Sequence, residues 1–490
     1  MPDVISLVPV PASLDVGTGP GFRFKPGVRL VTGASPEEIS LGVLAADLIG
    51  SGVGFPIDLI IGSVCDGQAV LLTLDEDAGP AAADPAERYS LTVTEDRIEL
   101  TAPRTAGLLC GLSTLRQLAV PGPGGALEVP AVMIEDAPRY PWRGLSLDVV
   151  RHFLSVDLVK SVLSVMSDYK LNVLHLHLTD DQGWRIELPS RPLLTERSAQ
   201  SEVGGGPGGF YTAEDYAALV AFAAARYIMI VPEIDVPGHI NAALHAYGDL
   251  TPSGEAAEVY TGTGVGFSQL HRDLPTTTAF LGDVFRDLAA MTPGDYVHLG
   301  GDEVFTIEPD EYAWFVCTAQ DVVRVEGKRV VGWQEIAHAR LDPGTVVQYW
   351  DTRAAPEPIV EASAAGAKVL LSPGSKVYLD MKYDESTALG LDWAGHVELR
   401  DAYEWEPTEL IPGLPADSII GVEAAVWTET ITTPDELFFM LLPRLAAVAE
   451  VAWSPAGSRD WAGFRARMAG QARQWDDAGL AWYRSPQVDW

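Results

Sequence analysis

Apolar residues recur with two different spacings along the chain, and the change of spacing divides the chain into two parts. The first part contains two stretches with helical spacing, at 36–50 and 105–119. It also contains strand-like runs at 28–31, 69–74, 89–93, 98–101 and, after the breaker-rich segment 121–125, 129–134. Because the runs 89–93 and 98–101 flank a turn, they predict a β-hairpin within a small non-catalytic α+β domain that spans 1–137.

A regular alternation of strand-like runs and amphipathic helices begins near residue 142. Ser155 is a predicted N-cap, and Thr212 stands three residues before Asp215 in a near-capping box. The eight strand-like runs are 144–149, 173–179, 228–236, 296–301, 329–333, 346–350, 368–372 and 421–427. They predict a (β/α)₈ barrel over 138–490, with a doubly wound open sheet as the rival fold. No Gly-x-Gly-x-x-Gly motif follows a first strand, and the glycine-rich segment 204–209 is predicted to be a flexible loop.

Charge and composition exclude several classes of partner. The net charge of −35 argues against nucleic acid and anionic membranes, and an acidic, solvated surface explains it most simply. Cys65, Cys110 and Cys317 form no Cys-x-x-Cys motif, so neither a zinc site nor a disulfide framework is indicated. No apolar run is long enough to span a membrane. The first thirty residues lack the features of an export signal, which favours a cytoplasmic location unless such a signal was removed.

The strand-like run 296–301 leads directly into two adjacent carboxylates, Asp302 and Glu303. Side chains alternate along a strand, so both acids can reach one site only if the backbone turns, and Gly300 and Gly301 would allow that turn. Two acids in a closed site can divide the work of cleaving a glycosidic bond. The alternative is an exposed turn in which both acids are merely solvated.

Polar and aromatic side chains also follow nearly every other predicted strand, whereas the strand bodies are apolar. Because active sites of such barrels lie at the carboxyl ends of the strands, these side chains predict one convergent pocket. His175 and His177 share one face of a strand and could hold a metal with Asp180. No third ligand follows at a convincing spacing, so a structural role for both histidines is favoured, and no metal or cofactor is expected.

Five ordered motifs, at 143–153, 175–185, 232–239, 298–303 and 427–429, resemble those of family 20 glycoside hydrolases, the β-N-acetylhexosaminidases. The resemblance covers essentially the whole chain and is closest to bacterial, actinomycete-like members. It implies a small α/β domain before a (β/α)₈ barrel. It also implies exo-acting removal of terminal GlcNAc or GalNAc from chitooligosaccharides and glycan ends, without a cofactor. The oligomeric state stays open.

The resemblance also implies roles for individual residues in substrate-assisted catalysis, with retention through an oxazolinium intermediate. Glu303 would act as general acid and then as general base, while Asp302 holds the acetamido N–H and Tyr378 donates to the acetamido carbonyl. Asp180 and His239 would support Glu303. The substrate-binding residues would be Arg151, Trp333, Trp350, Asp380, Trp393, Trp427 and Glu429.

Two alternatives remain at this stage. A disaccharide-releasing member of the same family would need an open pocket, whereas Arg151, Asp380 and Glu429 are expected to close it. A catalytically silent carbohydrate-binding protein would have no use for a poised acid, yet Asp302 and Glu303 are intact.

Overall fold

The computed structural model describes residues 5–62, 67–81, 85–122 and 126–490. Cys65 and part of the breaker-rich segment, 123–125, lie outside these residues. Cys110 is a buried free thiol and Cys317 is a partly exposed one. Within the described ranges, no helix is long and apolar enough to cross a bilayer.

The first part of the chain builds a seven-stranded mixed sheet backed by two helices, Pro36–Val53 and Thr105–Leu118. The predicted hairpin is confirmed, because Tyr89–Val93 pairs antiparallel with Arg97–Ala102. A separate three-stranded sheet contains Phe22–Arg23, Leu127–Val129 and Val120–Pro121. In spatial order, the strands of the large sheet are Ser13–Val16, Val132–Asp136, Tyr89–Val93, Arg97–Ala102, Ala69–Leu74, Arg29–Thr32 and Asp58–Ile61.

The second part closes into a barrel of eight parallel strands, as the alternation in the sequence predicts. The first strand pairs with both the second and the eighth, so the sheet has no free edge, and the open-sheet alternative is wrong. Apolar side chains fill the space between the strands and the surrounding helices. The barrel strands are Trp142–Asp148, Val173–His177, Met229–Glu233, Tyr296–His298, Arg329–Trp333, Val346–Tyr349, Lys368–Leu371 and Ile419–Val426.

Helices surround the barrel, and local capping explains where several of them begin. Ser155 caps the first by accepting from the Leu158 N–H, and Thr212 and Asp215 form a complete capping box. A short hairpin, Thr179–Asp180 with Gly183–Trp184, follows the second strand. The helices are Val156–Asp168, Leu193–Ser198, Ala213–Ala224, Asn241–Ala246, Pro275–Met291, Pro309–Val325, Glu357–Ala364, Gly374–Val377, Leu399–Tyr403, Pro434–Leu441, Arg444–Trp453 and Trp461–Asp477.

Three barrel strands end two or three residues earlier than their apolar patterns suggest. The second ends at His177, the third at Glu233 and the fourth at His298. After the fourth strand the backbone turns through two glycines in the left-handed region, Gly300 at φ 68° and Gly301 at φ 105°. The alternation of apolar side chains continues through these segments. Their backbone, however, no longer pairs with the neighbouring barrel strands and forms the loops around the pocket.

Buried charges join the first sheet to the barrel. Lys170 Nζ lies 2.9 Å from the Asp136 carboxylate, and the Tyr89 hydroxyl and the Trp453 indole N–H donate to the same carboxylate at 2.7 and 3.0 Å. Arg143 of the first barrel strand pairs with Glu87 at 2.5 Å. All these side chains are almost completely buried, and each of the two cations, Lys170 and Arg143, pairs with a carboxylate of the first domain.

Candidate active site

The turn after the fourth barrel strand delivers two carboxylates to one pocket. A Cβ atom at Gly300 would overlap Oδ1 of Asp235, so only glycine fits there. Glu303 itself has φ 53°, an unfavourable value for a residue with a long side chain. This backbone brings Oδ2 of Asp302 to 3.7 Å and Oε2 of Glu303 to 3.4 Å from Nε2 of His239. The unfavourable backbone conformation at Glu303 therefore accompanies the turn that brings both acids to the same imidazole.

An alternating chain of carboxylates and imidazoles runs from Glu303 into the barrel. Beyond His239, Nδ1 of that ring lies 3.3 Å from Oδ1 of Asp180. Asp180 Oδ2 lies 2.9 Å from Nε2 of His177, whose Nδ1 lies 2.5 Å from Glu233. Glu233 also contacts His175 at 3.0 Å, and the other nitrogen of His175 lies 2.9 Å from Glu423. Four ring nitrogens of the two strand histidines are thus occupied by carboxylates, in agreement with a structural role.

The charges in this chain are mutually stabilised. Burial alone would lower the pKa of His177, but the charge of Glu233 and the hydrogen bonds to Asp180 and Glu233 together outweigh it and raise that pKa to about 10. The same balance raises the pKa of His175 to about 9. Burial would raise the pKa of Asp180, yet the Arg151 guanidinium and His239 hold it well below its usual value. At neutral pH His175 and His177 are therefore cations, and Asp180 is a carboxylate that fixes the His239 ring.

A second carboxyl, Asp235, faces Asp302. Its Oδ1 accepts from the Gly301 N–H at 2.9 Å, and its carboxyl lies within 4.8 Å of Asp302 and His239. Oδ2 of Asp235 and Oδ1 of Asp302 are both buried, and no other described residue donates to either atom, which leaves the two carboxyls to hydrogen-bond to each other. Burial and then the neighbouring Asp302 charge hold the pKa of Asp235 well above its usual value. Asp235 is therefore the neutral acid of the pair, with a proton to donate to Asp302.

The wall of the pocket is aromatic. Trp350 stacks on Tyr378 with ring centroids 6.3 Å apart and an angle of 9° between the planes. Trp393 packs edge-on against both rings at 5.7 Å. Trp427 lies 6.2 Å from Tyr378 and 5.8 Å from Trp333. The five aromatic residues predicted for the site thus form one continuous surface, in which Trp393 alone is substantially exposed, at 37%.

The three residues predicted to bind sugar hydroxyls, Arg151, Asp380 and Glu429, lie close to one another. Arg151 is buried, and its guanidinium stacks over the Trp427 ring at 4.9 Å. It also pairs with Asp180 at 2.7 Å and with Asp148 at 3.4 Å. The sequence did not reveal these ion pairs, which link Arg151 to the Asp180–His239 pair. Burial and then the Glu429 charge hold the pKa of Asp380 well above its usual value. Asp380 and Glu429 therefore lie close together in a region shielded from water.

Arg444 holds the segment that carries Tyr378 and Asp380. Its guanidinium is completely buried and donates to the carbonyl oxygens of Leu379 and Met381 at 2.7 Å. It also donates to two further carbonyl oxygens, of Val397 and Met440, at 2.7 and 3.0 Å. A planar cation with several donors can organise such a loop, whereas a point charge cannot.

Three acidic residues of the site are not among the catalytic or substrate-binding residues that the sequence predicts. Asp235 and Glu233 lie inside the motif 232–239, where their alternation on one strand could have marked them. Glu335, directly after Gln334, accepts from the Trp350 indole N–H at 3.2 Å. Burial and then the Asp302 charge raise the pKa of Glu335 to about 8, so it is largely a neutral acid at the pocket wall at pH 7.

Two family profiles cover most of the chain. The profile of the glycosyl hydrolase family 20 catalytic domain matches residues 140–456, and that of family 20 domain 2 matches residues 4–137. The chain belongs to glycosyl hydrolase family 20. A β-N-acetylhexosaminidase of Cellulomonas fimi is 58% identical over 490 residues, which cover 100% of this chain and 98% of that protein.

Solved structures of family 20 enzymes agree with this assignment. The β-N-acetylhexosaminidase of Streptomyces coelicolor has a TM-score of 0.94 and 42% identity, with 99% of each chain covered. A mutant Streptomyces plicatus β-hexosaminidase in complex with the product GlcNAc also has a TM-score of 0.94, at 43% identity, with 99% of this chain and 98% of that chain covered. The family 20 chain described here is a glycoside hydrolase of the β-N-acetylhexosaminidase type.

Proposed function

We propose that the pocket removes a terminal, non-reducing N-acetylhexosamine by substrate-assisted catalysis with net retention. In this mechanism the carbonyl oxygen of the substrate's acetamido group attacks C1, and Glu303 protonates the departing glycosidic oxygen. The oxazolinium intermediate is opened by water, which gives its proton to Glu303. The proton returns to the acid at the end of the cycle, so the reaction consumes only the glycoside and one water.

The observation that carries this proposal is the environment of Asp302. One of its oxygens faces the neutral acid Asp235, and the other lies 3.7 Å from His239. A carboxylate held by neighbours on both sides is suited to accept the acetamido N–H and to stabilise the positive charge that develops there. It is poorly placed to leave them and form a covalent bond with C1, so the nucleophile must come from the substrate.

The remaining residues are assigned by their positions around this centre. Tyr378 donates to the acetamido carbonyl within the wall formed by Trp333, Trp350 and Trp427. The indole N–H of Trp393 and the charged groups of Arg151, Asp380 and Glu429 bind sugar hydroxyls. Arg151 and Asp380 are buried, and together with Glu429 they would occupy the space of a preceding sugar. The enzyme therefore acts on the last sugar of a chain, and a disaccharide-releasing activity is disfavoured. Substrates carry N-acetylglucosamine, and chitooligosaccharides and glycan ends supply it.

A comparison of two aryl glycosides tests the proposal. We expect rapid release from an aryl N-acetyl-β-glucosaminide and very slow release from the matched β-glucoside, which lacks the internal nucleophile. A thiazoline mimic of the intermediate should inhibit strongly, as a stable analogue of a high-energy species does. Glu303→Gln should lose about 10²–10⁴-fold on natural glycosides, and less on aryl glycosides with acidic leaving groups.

The opposite result would be a covalent adduct. Mass spectrometry after incubation with a 2-fluoro glycoside that traps covalent intermediates should detect only the unmodified chain. A sugar attached to Asp302 or Glu303 would replace the proposed mechanism with a conventional carboxylate nucleophile.

A further inference from the structure

An aromatic surface beside the pocket has no role in the mechanism above. Phe305 is 71% exposed and Phe267 is 49% exposed, which are high values for phenylalanine. Tyr260 packs against Phe267 with ring centroids 4.5 Å apart. We call these three side chains the aromatic ledge. Contiguous exposed aromatic rings cost free energy in water and commonly mark a surface that binds something.

The ledge is held in place by its own backbone contacts. A Cβ atom at Gly266 would overlap the Phe305 ring, so this ring rests directly on the Gly266 backbone. The Tyr260 hydroxyl accepts from the Gly264 N–H at 2.7 Å and donates to the Gly264 carbonyl at 3.1 Å. The ledge is therefore a preformed surface made from two loops, those after the third and fourth barrel strands.

The ledge is continuous with the catalytic acid. Phe305 is only two residues after Glu303, and a Cβ atom at Gly266 would lie 2.9 Å from the Glu303 carbonyl oxygen. Because Glu303 protonates the oxygen that joins the last sugar to the rest of the substrate, the departing sugar must lie on the Glu303 side of the pocket.

We propose that the aromatic ledge binds the sugar on the reducing side of the cleaved bond, a β-linked pyranose such as the second residue of a chitooligosaccharide. This inference rests on the proposed function, because it takes Glu303 as the acid. The axial C–H groups of a β-linked pyranose form apolar faces that pack on aromatic rings, whereas a small alkyl leaving group cannot reach Phe305. The ledge thereby adds binding energy for oligosaccharides that simple glycosides do not receive.

The test compares two substrates on the same variants. For Phe305→Ala, kcat/KM for the β-1,4-linked GlcNAc trimer should fall about tenfold, the effect expected from losing the apolar contact with one sugar face. With methyl N-acetyl-β-glucosaminide, whose leaving group is too small to reach the ledge, kcat/KM should stay within about twofold. Phe267→Ala should give the same pattern more weakly, and Phe305→Trp should retain the trimer activity.

A matched control is Val325→Ala, which removes an exposed apolar side chain at the end of the helix Pro309–Val325. It should change neither substrate. An unchanged ratio of trimer to methyl glycoside in Phe305→Ala would overturn the proposal, as would an equal loss on both, which would assign Phe305 to the support of Glu303. A wild-type dimer that Phe305→Ala dissociates, without a change of ratio, would assign the ledge to a second copy of the chain. If the proposed function itself were wrong, the wild type would act on neither substrate, which distinguishes that outcome from a failure of the ledge proposal.

Discussion

Replacing either acid of the Asp235–Asp302 pair by its amide should give opposite results. Burial raises the pKa of both facing carboxyls, but that of Asp235 is raised further, so Asp235 is the neutral acid of the pair and Asp302 the charged one. Asp302→Asn removes the charge that faces the acetamido nitrogen. Asp235→Asn replaces a neutral acid by a neutral amide, whose oxygen can still accept from the Gly301 N–H and whose NH₂ group can still donate to Asp302.

The sizes of these effects follow from what each change removes. Loss of one preorganised electrostatic contact to a developing charge lowers kcat about 10²–10³-fold, so Asp302→Asn should lower kcat by that factor or more. Asp235→Asn keeps both hydrogen bonds, so its kcat should stay within about fivefold of the wild-type value. A tenfold change in rate corresponds to about 1.4 kcal/mol of free energy. Asp235→Leu leaves the buried Gly301 N–H without its acceptor, which costs about 1–3 kcal/mol of local stability and should displace the Gly-Gly turn.

The assay is the pH dependence of kcat and kcat/KM on an aryl N-acetyl-β-glucosaminide. Burial and the neighbouring Asp302 charge hold the pKa of Asp235 well above its usual value, so the acid limb of the Asp235→Asn profile should overlay that of the wild type. A loss in Asp235→Asn as large as in Asp302→Asn would mean that Asp235 works as an ionised carboxylate. The neutral-acid assignment would then be wrong.

Two further predictions concern the buried cations. The folded-state pKa values of His175 and His177, about 9 and about 10, lie above the ordinary 6.5, so their stabilisation is complete below pH 6.5 and is lost as the pH rises to about 10. Calorimetric Tm should therefore fall over this range, and less steeply in His177→Gln; a Tm independent of pH would contradict the ion-pair chain. For Arg444, substitution by Lys should raise KM for aryl N-acetyl-β-glucosaminides about tenfold and lower Tm, because an ammonium cannot serve all four carbonyl oxygens. An unchanged KM in folded Arg444→Lys would show that the Tyr378–Asp380 segment holds its position without the guanidinium.

The barrel could be predicted because its signal is repeated eight times, whereas the details of the pocket depend on single residues. Apolar patterns placed the fourth strand correctly but extended it to residue 301, since spacing in sequence does not reveal where φ turns positive. The motif resemblance supplied candidate roles for Asp302, Glu303 and their neighbours. It did not supply the neutral state of Asp235, which depends on burial and on a carboxylate 67 positions away in the chain.

Long-range ion pairs were equally invisible in the sequence. Arg151 has the residue type of a hydroxyl-binding group, yet its closest partner is Asp180, which stands after another strand. Sequence patterns report the faces of helices and strands, but not which charged side chains meet when the barrel closes.

The buried charges between the two domains mean that the catalytic barrel is not a portable module. A chain cut after residue 137 would retain Lys170 and Arg143 but lose Asp136 and Glu87, leaving two cations without their carboxylates in contact with newly exposed apolar surface. The lost ion pairs and the newly exposed apolar surface would both destabilise the isolated barrel. None of the described residues of the first domain lies in the candidate active site, yet engineers who wish to shorten or transplant this hydrolase must carry that domain along.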